Sequence, residues 1–420
     1  MRSVSESILP RFSRLFTHGL LILNFGLGIG YIGAWIMAWQ QGLFWRADFS
    51  AFYTGWAIVR DGLGSHLFDF ALQTSYQQAI LGGQSFKDGL LPFINPPGLT
   101  LLLTPLSVLP LSTAFYLWTL GMAGLLAWLI ALLWKMTRSW QPYERWLLIA
   151  ACVAFPPMFT TFLLGAFSLL LLVCWLQLYL AFRDNRPVAI AAWLFIGAIK
   201  PQIVILPGAM LACARRWLAL GWAVLAGIGM VLLSSFLIGW RVWIDYAQQL
   251  RAVSSFFGQY GIDPAGMYNF RGLLTTVLGS GQAAMINGIS TFALLGSLFV
   301  TCLVWRRPVE IQQPVFELRV ALTLVMALFF NMHLYPQDGL LYIAPAILFY
   351  DYLRRNSHTQ SGFRKRTTFA VFALLCPFFF LFSEFNLGVQ WGIRGPVIAA
   401  LVMLIWIGWE WIRELAIQPR

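Results

Sequence analysis

Charged residues make up only 10% of this 420-residue sequence, against about 25% in soluble domains. That shortage argues against a core surrounded by water. Nucleotide-handling signatures are missing too: there is no glycine-rich dinucleotide fingerprint and no phosphate-binding loop. The formal net charge is +12, yet no basic-aromatic stripe or nucleic-acid module is present, so nucleic acid is not an expected partner. The 5 cysteines, Cys152, Cys174, Cys213, Cys302 and Cys376, lie in apolar segments without a CxxC pair. They read as small buried apolar residues, not as a disulfide framework. Metal-ligand spacings such as HxxxH or DxD are also missing. A divalent cation is therefore not readable, and no cofactor is assigned.

What is present is hydrophobic. Residues of this type fill 59% of the chain, with 20 Trp and 35 Phe. Apolar segments run at 15–40, 112–134, 146–163, 167–182, 217–239, 283–305, 316–332, 339–353, 367–384 and 395–412. Segments of this length mean an all-α polytopic membrane protein of about 10–12 crossings, read as one integral membrane domain over 1–420. The first run exceeds the apolar core of a cleavable signal peptide and reads as a retained span. Two segments are irregular. Residues 96–110 are short and interrupted by Pro, and 188–213 carry Lys200-Pro201 at their centre. Both fit re-entrant or broken helices, which need protein or a water-filled cavity around them.

Basic residues set the orientation. Arg2, Arg11 and Arg14 precede the first span, which places the N-terminus in the cytoplasm. If 96–110 does not cross and 188–213 is a hairpin or re-entrant pair, the later clusters fall inside as well: Lys135/Arg138/Arg145, Arg183/Arg186, Arg215/Arg216, Arg306/Arg307, Arg354/Arg355 with 364–366, and Arg413/Arg420; if 96–110 does cross, the next loops invert. Two long loops, 41–95 and 241–282, then share the outer face. "DFSAFYTGWAIV" and "DFALQTSYQQAIL" in the first read as short amphipathic, interfacial helices, and the second loop, "RVWIDYAQQLRAVSSFFGQYGIDPAGMYNFRG", is similar in character.

Several polar residues stand where chemistry would need them. Asp48 follows the first span, within an aromatic segment that screens it from water. A capping residue is the simpler reading. Asp61 precedes Gly62 at a turn, and His66 and Asp69 are close enough to pair; alone, these read as turn and cap residues. Lys200 interrupts an apolar segment, where an unneeded cation costs about 2.5–3.5 kcal/mol; the simpler reading is a loop that meets water. Arg271 enters an apolar run and His333 ends one, and both also suit ordinary boundary positions.

Their order resembles the family 87 glycosyltransferases. The matching features are Asp48, then Tyr53, Ala57, Asp61 and Gly62, "LFD" at 67–69, "FINPPGLTLLLTPLSVLP" at 93–110, "FIGAIKPQIVILPGAMLACARRW" at 195–217 and "NMHLYPQDGLLYIAP" at 331–345. The likeness covers most of 40–350. It implies a GT-C-like bundle and an inverting transferase of the cytoplasmic membrane working at its outer, periplasmic face. The implied donor is a polyprenyl-phosphate-linked sugar, with mannose the commonest among relatives. The implied acceptor is a glycolipid or cell-envelope polysaccharide, with membrane lipids around it. Asp48 takes the position of the general base. Lys200, His333 and Arg271 would attend the donor phosphate, supported by Asp61, His66, Asp69, Asn95 and Gln202. One departure stands out: where many members have Gly-Gln, this chain has Gly165-Ala166. The competing reading is a lipid-linked-sugar flippase or small-molecule transporter. Such proteins tend to show repeat symmetry, and no repeat is visible here.

Overall fold

The computed structural model describes residues 5–42, 48–86, 89–357, 359–382 and 394–417. Most of residues 385–394, which join the last two apolar segments, lie outside the described residues. The described chain is helical, with one isolated bridge at Gln259 and Ile262 and no strand. The protein is an all-α polytopic membrane protein.

The outer helices are α1 (Ser5–Gln40), α5 (Leu111–Met136), α11 (Trp217–Ile238), α14 (Ala283–Trp305), α17 (Gln360–Phe382) and α18 (Gly395–Ile417). These six supply segments long and apolar enough to span a bilayer. Their outward faces keep large apolar groups exposed, among them Ile29, Leu120, Leu232, Phe236, Phe292 and Phe299. Only a lipid environment makes that surface favourable. A seventh span arises if α6 (Pro142–Ala154) and α7 (Pro156–Leu164), bent by 46° at their junction, count as one. Pro156 explains the bend, because it removes a helical donor there.

The rest of the expected 10–12 crossings resolve into shorter interior helices. Helix α8 (Ser168–Arg183) and α15 (Pro314–Phe329) have 16 residues each, and every residue from Val315 to Phe329 is buried. At 1.5 Å per residue they are about 24 Å long, against about 39 Å for α5 and about 33 Å for α11. The interior helices are therefore about 9–15 Å shorter than α11 and α5.

The irregular segments now have shapes. Residues 97–108 form α4 (Pro97–Leu103) and a 3-10 turn (Thr104–Val108), about 20 Å in all and too short to cross. Residues 187–213 form α9 (Pro187–Gly197) and α10 (Pro201–Cys213). Pro201 bars Lys200 from helical geometry, and Lys200 sits extended at φ −117°, ψ 90°. At the far ends of this pair Arg216 donates to Asn185. The segment is a hairpin whose tip is Lys200.

Polar contacts sort the loops into two ends. At the basic end Trp140 donates to Asp351 (2.9 Å), Arg355 pairs with Glu317 (3.0 Å), Arg319 donates to the Arg307 carbonyl (2.7 Å) and Lys365 pairs with Glu410 (2.7 Å). At the opposite end the Tyr268 amide donates to the Leu334 carbonyl (2.8 Å) and Arg394 to the Ala265 carbonyl (3.2 Å).

Helix α2 (Asp48–Arg60) departs from the interfacial expectation. Every residue from Phe49 to Ile58 is buried. Its aromatic residues point in several directions, and Phe49 packs on Trp56, Phe115 and Trp118. Helix α3 (Phe70–Ile80) buries glutamines. Gln73 pairs with the Phe93 amide and Leu67 carbonyl, and Gln77 with the amide and carbonyl of Leu91. Side-chain amides thus satisfy an extended segment that has no neighbouring strand. Helix α12 (Arg241–Ser254) is amphipathic as expected, burying Val242, Tyr246, Gln249 and Val253. An apolar cavity of about 700 Å³ lies between α6, α16 (Ile343–Arg355), α17 and α18, lined in part by Leu148, Tyr342, Phe369 and Met403.

Candidate active site

Four segments far apart in sequence meet at the end opposite the basic clusters. Asp48 opens α2, where the helix N-terminus favours an anion. Lys200 comes from the hairpin tip. Ser168 begins α8, three residues after the left-handed Gly165 (φ 65°) that ends α7. A Cβ on Gly165 would stand 2.9 Å from the Phe49 Cβ, so glycine permits both the turn and the approach of α2. The fourth segment is the 3-10 helix Pro336–Tyr342, which continues into α16.

That 3-10 helix carries two adjacent contacts. The Gln337 amide nitrogen donates to Asp48 Oδ2 at 2.7 Å. Asp338 Oδ1 accepts from Lys200 Nζ at 2.5 Å and from Ser168 Oγ at 2.7 Å. Its Oδ2 accepts from the Tyr335 amide at 3.4 Å. Asp338 is thus both part of the capping box of its 3-10 helix and the counter-ion of the hairpin-tip lysine. The Lys200 side chain is 17% exposed and that of Asp338 is 3% exposed.

The environment changes proton affinities. Burial pushes the Asp48 carboxyl up to about 6; Lys200 opposes this, Asp338 adds to it, and the Gln337 amide opposes it. Burial likewise pushes the His333 imidazole down to about 4, with Lys200 and Arg271 adding to the effect and Asp338 opposing it. His333 is therefore neutral near pH 7. Its ring meets Tyr335 edge-on at 4.8 Å, and its amide donates to Asn331 Oδ1 at 2.8 Å.

Arg271 is an anchored cation. It begins α13 (Phe270–Leu278), is 1% exposed, and donates to Asn287 Oδ1 (3.1 Å), the Met332 carbonyl (3.1 Å) and the Ser254 carbonyl (2.9 Å). Burial lowers its proton affinity. With three of its five N–H groups engaged, it fixes the 254–271 loop to 331–334 and acts on its neighbours through its charge.

The supporting residues divide. Asn95 is buried and donates to the Ile199 carbonyl at 3.4 Å, bracing the backbone beside Lys200. Gln202 occupies the first turn of α10, half-buried. Asp61 is instead held by Arg60 (2.7 Å) and Tyr76 (3.0 Å), and Asp69 caps α3 through the amides of Ala71 and Leu72. His66 and Asp69 line a separate exposed hollow with Asp245 and Gln248. Asp61 and Asp69 thus make their contacts within the first loop. Neither Gln337 nor Ser168 is singled out by the sequence: Ser168 is one polar residue in an apolar stretch, and Gln337 lies inside the polar-rich motif at 331–339 with nothing to set it apart from its neighbours. Among the described residues no three His, Cys, Asp or Glu side chains gather in a metal-binding group.

A carboxylate with raised proton affinity lies in the field of a lysine, and a neutral histidine feels the same lysine, at one end of a membrane bundle. Such a site can take a proton from a hydroxyl and face an anionic leaving group. Comparison with known proteins agrees with that class of chemistry. Residues 93–336, more than half the chain, match the model of Glycosyltransferase family 87. No curated protein and no solved structure matches the chain. The chain belongs to glycosyltransferase family 87.

Proposed function

We propose that the protein is an inverting glycosyltransferase that moves mannose from a polyprenyl phosphate to a hydroxyl of a glycolipid or polysaccharide at the outer face of the cytoplasmic membrane. The observation that carries this reading is the Gln337–Asp48 hydrogen bond beside the Lys200–Asp338 ion pair. Asp48 takes the proton of the acceptor hydroxyl. The hydroxyl oxygen bonds to the anomeric carbon from the face opposite the phosphate. The bond from that carbon to the phosphate oxygen breaks, and polyprenyl phosphate departs. Lys200 meets the phosphate charge, neutral His333 donates a hydrogen bond to it, and Arg271 adds its field from behind.

The short interior helices favour a lipid-borne donor. At about 24 Å, against about 33–39 Å for α11 and α5, these helices are consistent with a site set near the depth of a lipid phosphate. The basic loops at the other end support a cytoplasmic location for that end and an outer location for the site. The test is transfer from labelled polyprenyl-phosphate sugars by purified protein, wild type against Asp48→Asn. The expected result is loss of transfer by about 10²–10⁴-fold with unchanged expression. Retained transfer in Asp48→Asn removes Asp48 from the role of base.

A further inference from the structure

The 3-10 helix at Pro336–Tyr342 is rigidly held and touches both halves of the site. The Gln337 carbonyl accepts from Thr161 Oγ1 at 3.3 Å, and Gln337 is 6% exposed. The next residue, Asp338, holds Lys200 and Ser168. Gly339 is packed so that a Cβ would stand 3.1 Å from the Tyr268 ring and 3.2 Å from Pro157. A single peptide bond therefore separates the group that touches the carboxylate from the group that touches the cation.

From this geometry we infer that Gln337 and Asp338 are a paired positioning element: Gln337 aims and ionises the base, and Asp338 registers Lys200 against it. The inference deepens the proposed function and rests on Asp48 being the base. A Gln amide can only donate its N–H to a carboxylate oxygen, so it stabilises the ionised form and orients it. Because Oδ2 is occupied by this bond, Oδ1 is the oxygen left to receive the acceptor proton. Asp338 acts oppositely on Asp48. It carries the same charge and disfavours ionisation there, while its partner Lys200 favours it. The other ionisable groups facing this cluster are His333 and Tyr335 on the same connection and Arg271 on α13.

Two adjacent residues should thus move the same titration in opposite directions. The experiment is the pH dependence of kcat/KM, with donor KM and kcat separated, for wild type, Gln337→Met and Asp338→Asn. Gln337→Met should shift the acid limb to higher pH and lower kcat about 10- to 100-fold, the size of a lost hydrogen bond to a charged group, with little change in donor KM. Asp338→Asn should shift the limb to lower pH and change donor KM, because Lys200 loses its counter-ion. Gln337→Glu supplies a control that keeps length and adds charge; it should push the limb higher than Gln337→Met does.

A purely structural role predicts lower activity at all pH values with the limb unmoved, and that outcome overturns the inference. So does a shift of both limbs in one direction. Asp48→Asn run beside them separates the two levels. If it retains transfer, the base assignment itself fails. If it is inactive while Gln337→Met leaves the limb in place, only the positioning element fails.

Discussion

Arg216 donates to Asn185 at the basic end, and the hairpin that they close delivers Lys200 to Asp338 at the other extreme. The two half-helices have 11 and 13 residues, so the tip reaches about 17–20 Å into the bundle. It stops at the level where α8 begins and α15 ends. A lysine at that depth needs a partner, and Asp338 satisfies it.

The pairing predicts that Lys200 has a structural effect as well as a functional one. In Lys200→Met the Asp338 carboxylate is left buried and unpaired, which costs about 3–5 kcal/mol. Thermal unfolding in detergent should show a lower Tm for this variant. The double variant Lys200→Met/Asp338→Asn removes both charges and should recover most of that loss. Donor KM should stay raised in both. A single variant that melts like wild type would show that the ion pair does not support the fold.

Asp48 links activity to stability through pH. Its carboxyl sits near 6 in the fold against 3.8 in an unfolded chain. A group raised in the folded state contributes stability that is complete below 3.8 and is lost as pH rises through 6. The ionised base is therefore a strained feature at pH 7. Activity runs the other way: kcat/KM should rise through a midpoint near 6 and level off above 7. Asp48→Asn should be inactive at pH 7.5 and melt above wild type there, since it removes the buried charge. A lower Tm for Asp48→Asn would contradict this assignment of strain.

Parts of this arrangement were legible in the sequence because they break a pattern. Lys200 interrupts an apolar run and Pro201 follows it, so the hairpin tip was visible. Asp48 was visible at the end of the first run, and Arg271 and His333 at the edges of others. Gln337 and Ser168 were not, because Ser168 is a lone polar residue in an apolar run, Gln337 is one of several polar residues at 331–339, and their partners lie 289 and 170 positions away. Helix α2 looked interfacial because its polar residues are few and small. Its burial follows from Trp118, Phe115 and Phe93, which surround it from other segments. The crossing count depended on α8 and α15, whose apolar runs read as spans but whose helices, at 16 residues each, fall short of one.

The loop that anchors Arg271 turns on Gly272. A Cβ there would lie 2.2 Å from the Met267 carbonyl oxygen and 3.1 Å from that of Pro264. Both are backbone atoms of the turn that Asp263 and Asn269 cap, so neither can yield without opening it. Gly272→Ala should cost at least the upper part of the about 1–3 kcal/mol typical of overpacking. Lower Tm and lower transfer should appear together, because the turn fixes both Tyr268 to Leu334 and Arg271 to Met332. Ala at an unobstructed position of an outer helix, such as Gly227, should change neither, and a Gly272→Ala variant as stable as wild type would show that the turn has room.

His333 gives the sharpest test of the site's electrostatics. Its imidazole is held down to about 4 by burial, Lys200 and Arg271. The proton balance follows directly: an unfolded chain binds a proton at 6.5, and the fold resists it until about 4. Stability from this group is therefore complete above 6.5 and is lost as pH falls toward 4. Between pH 5 and 8 the folded protein should show no titration of this residue, read by carbon-13 shifts of labelled histidine with His333→Gln to assign the signal. Lys200→Met and Arg271→Gln each remove a positive neighbour and should raise the midpoint. A His333 signal titrating near 6.5 in wild type would mean that the ring stands in water, away from the two cations. In that case it could not serve as a neutral donor to a lipid phosphate.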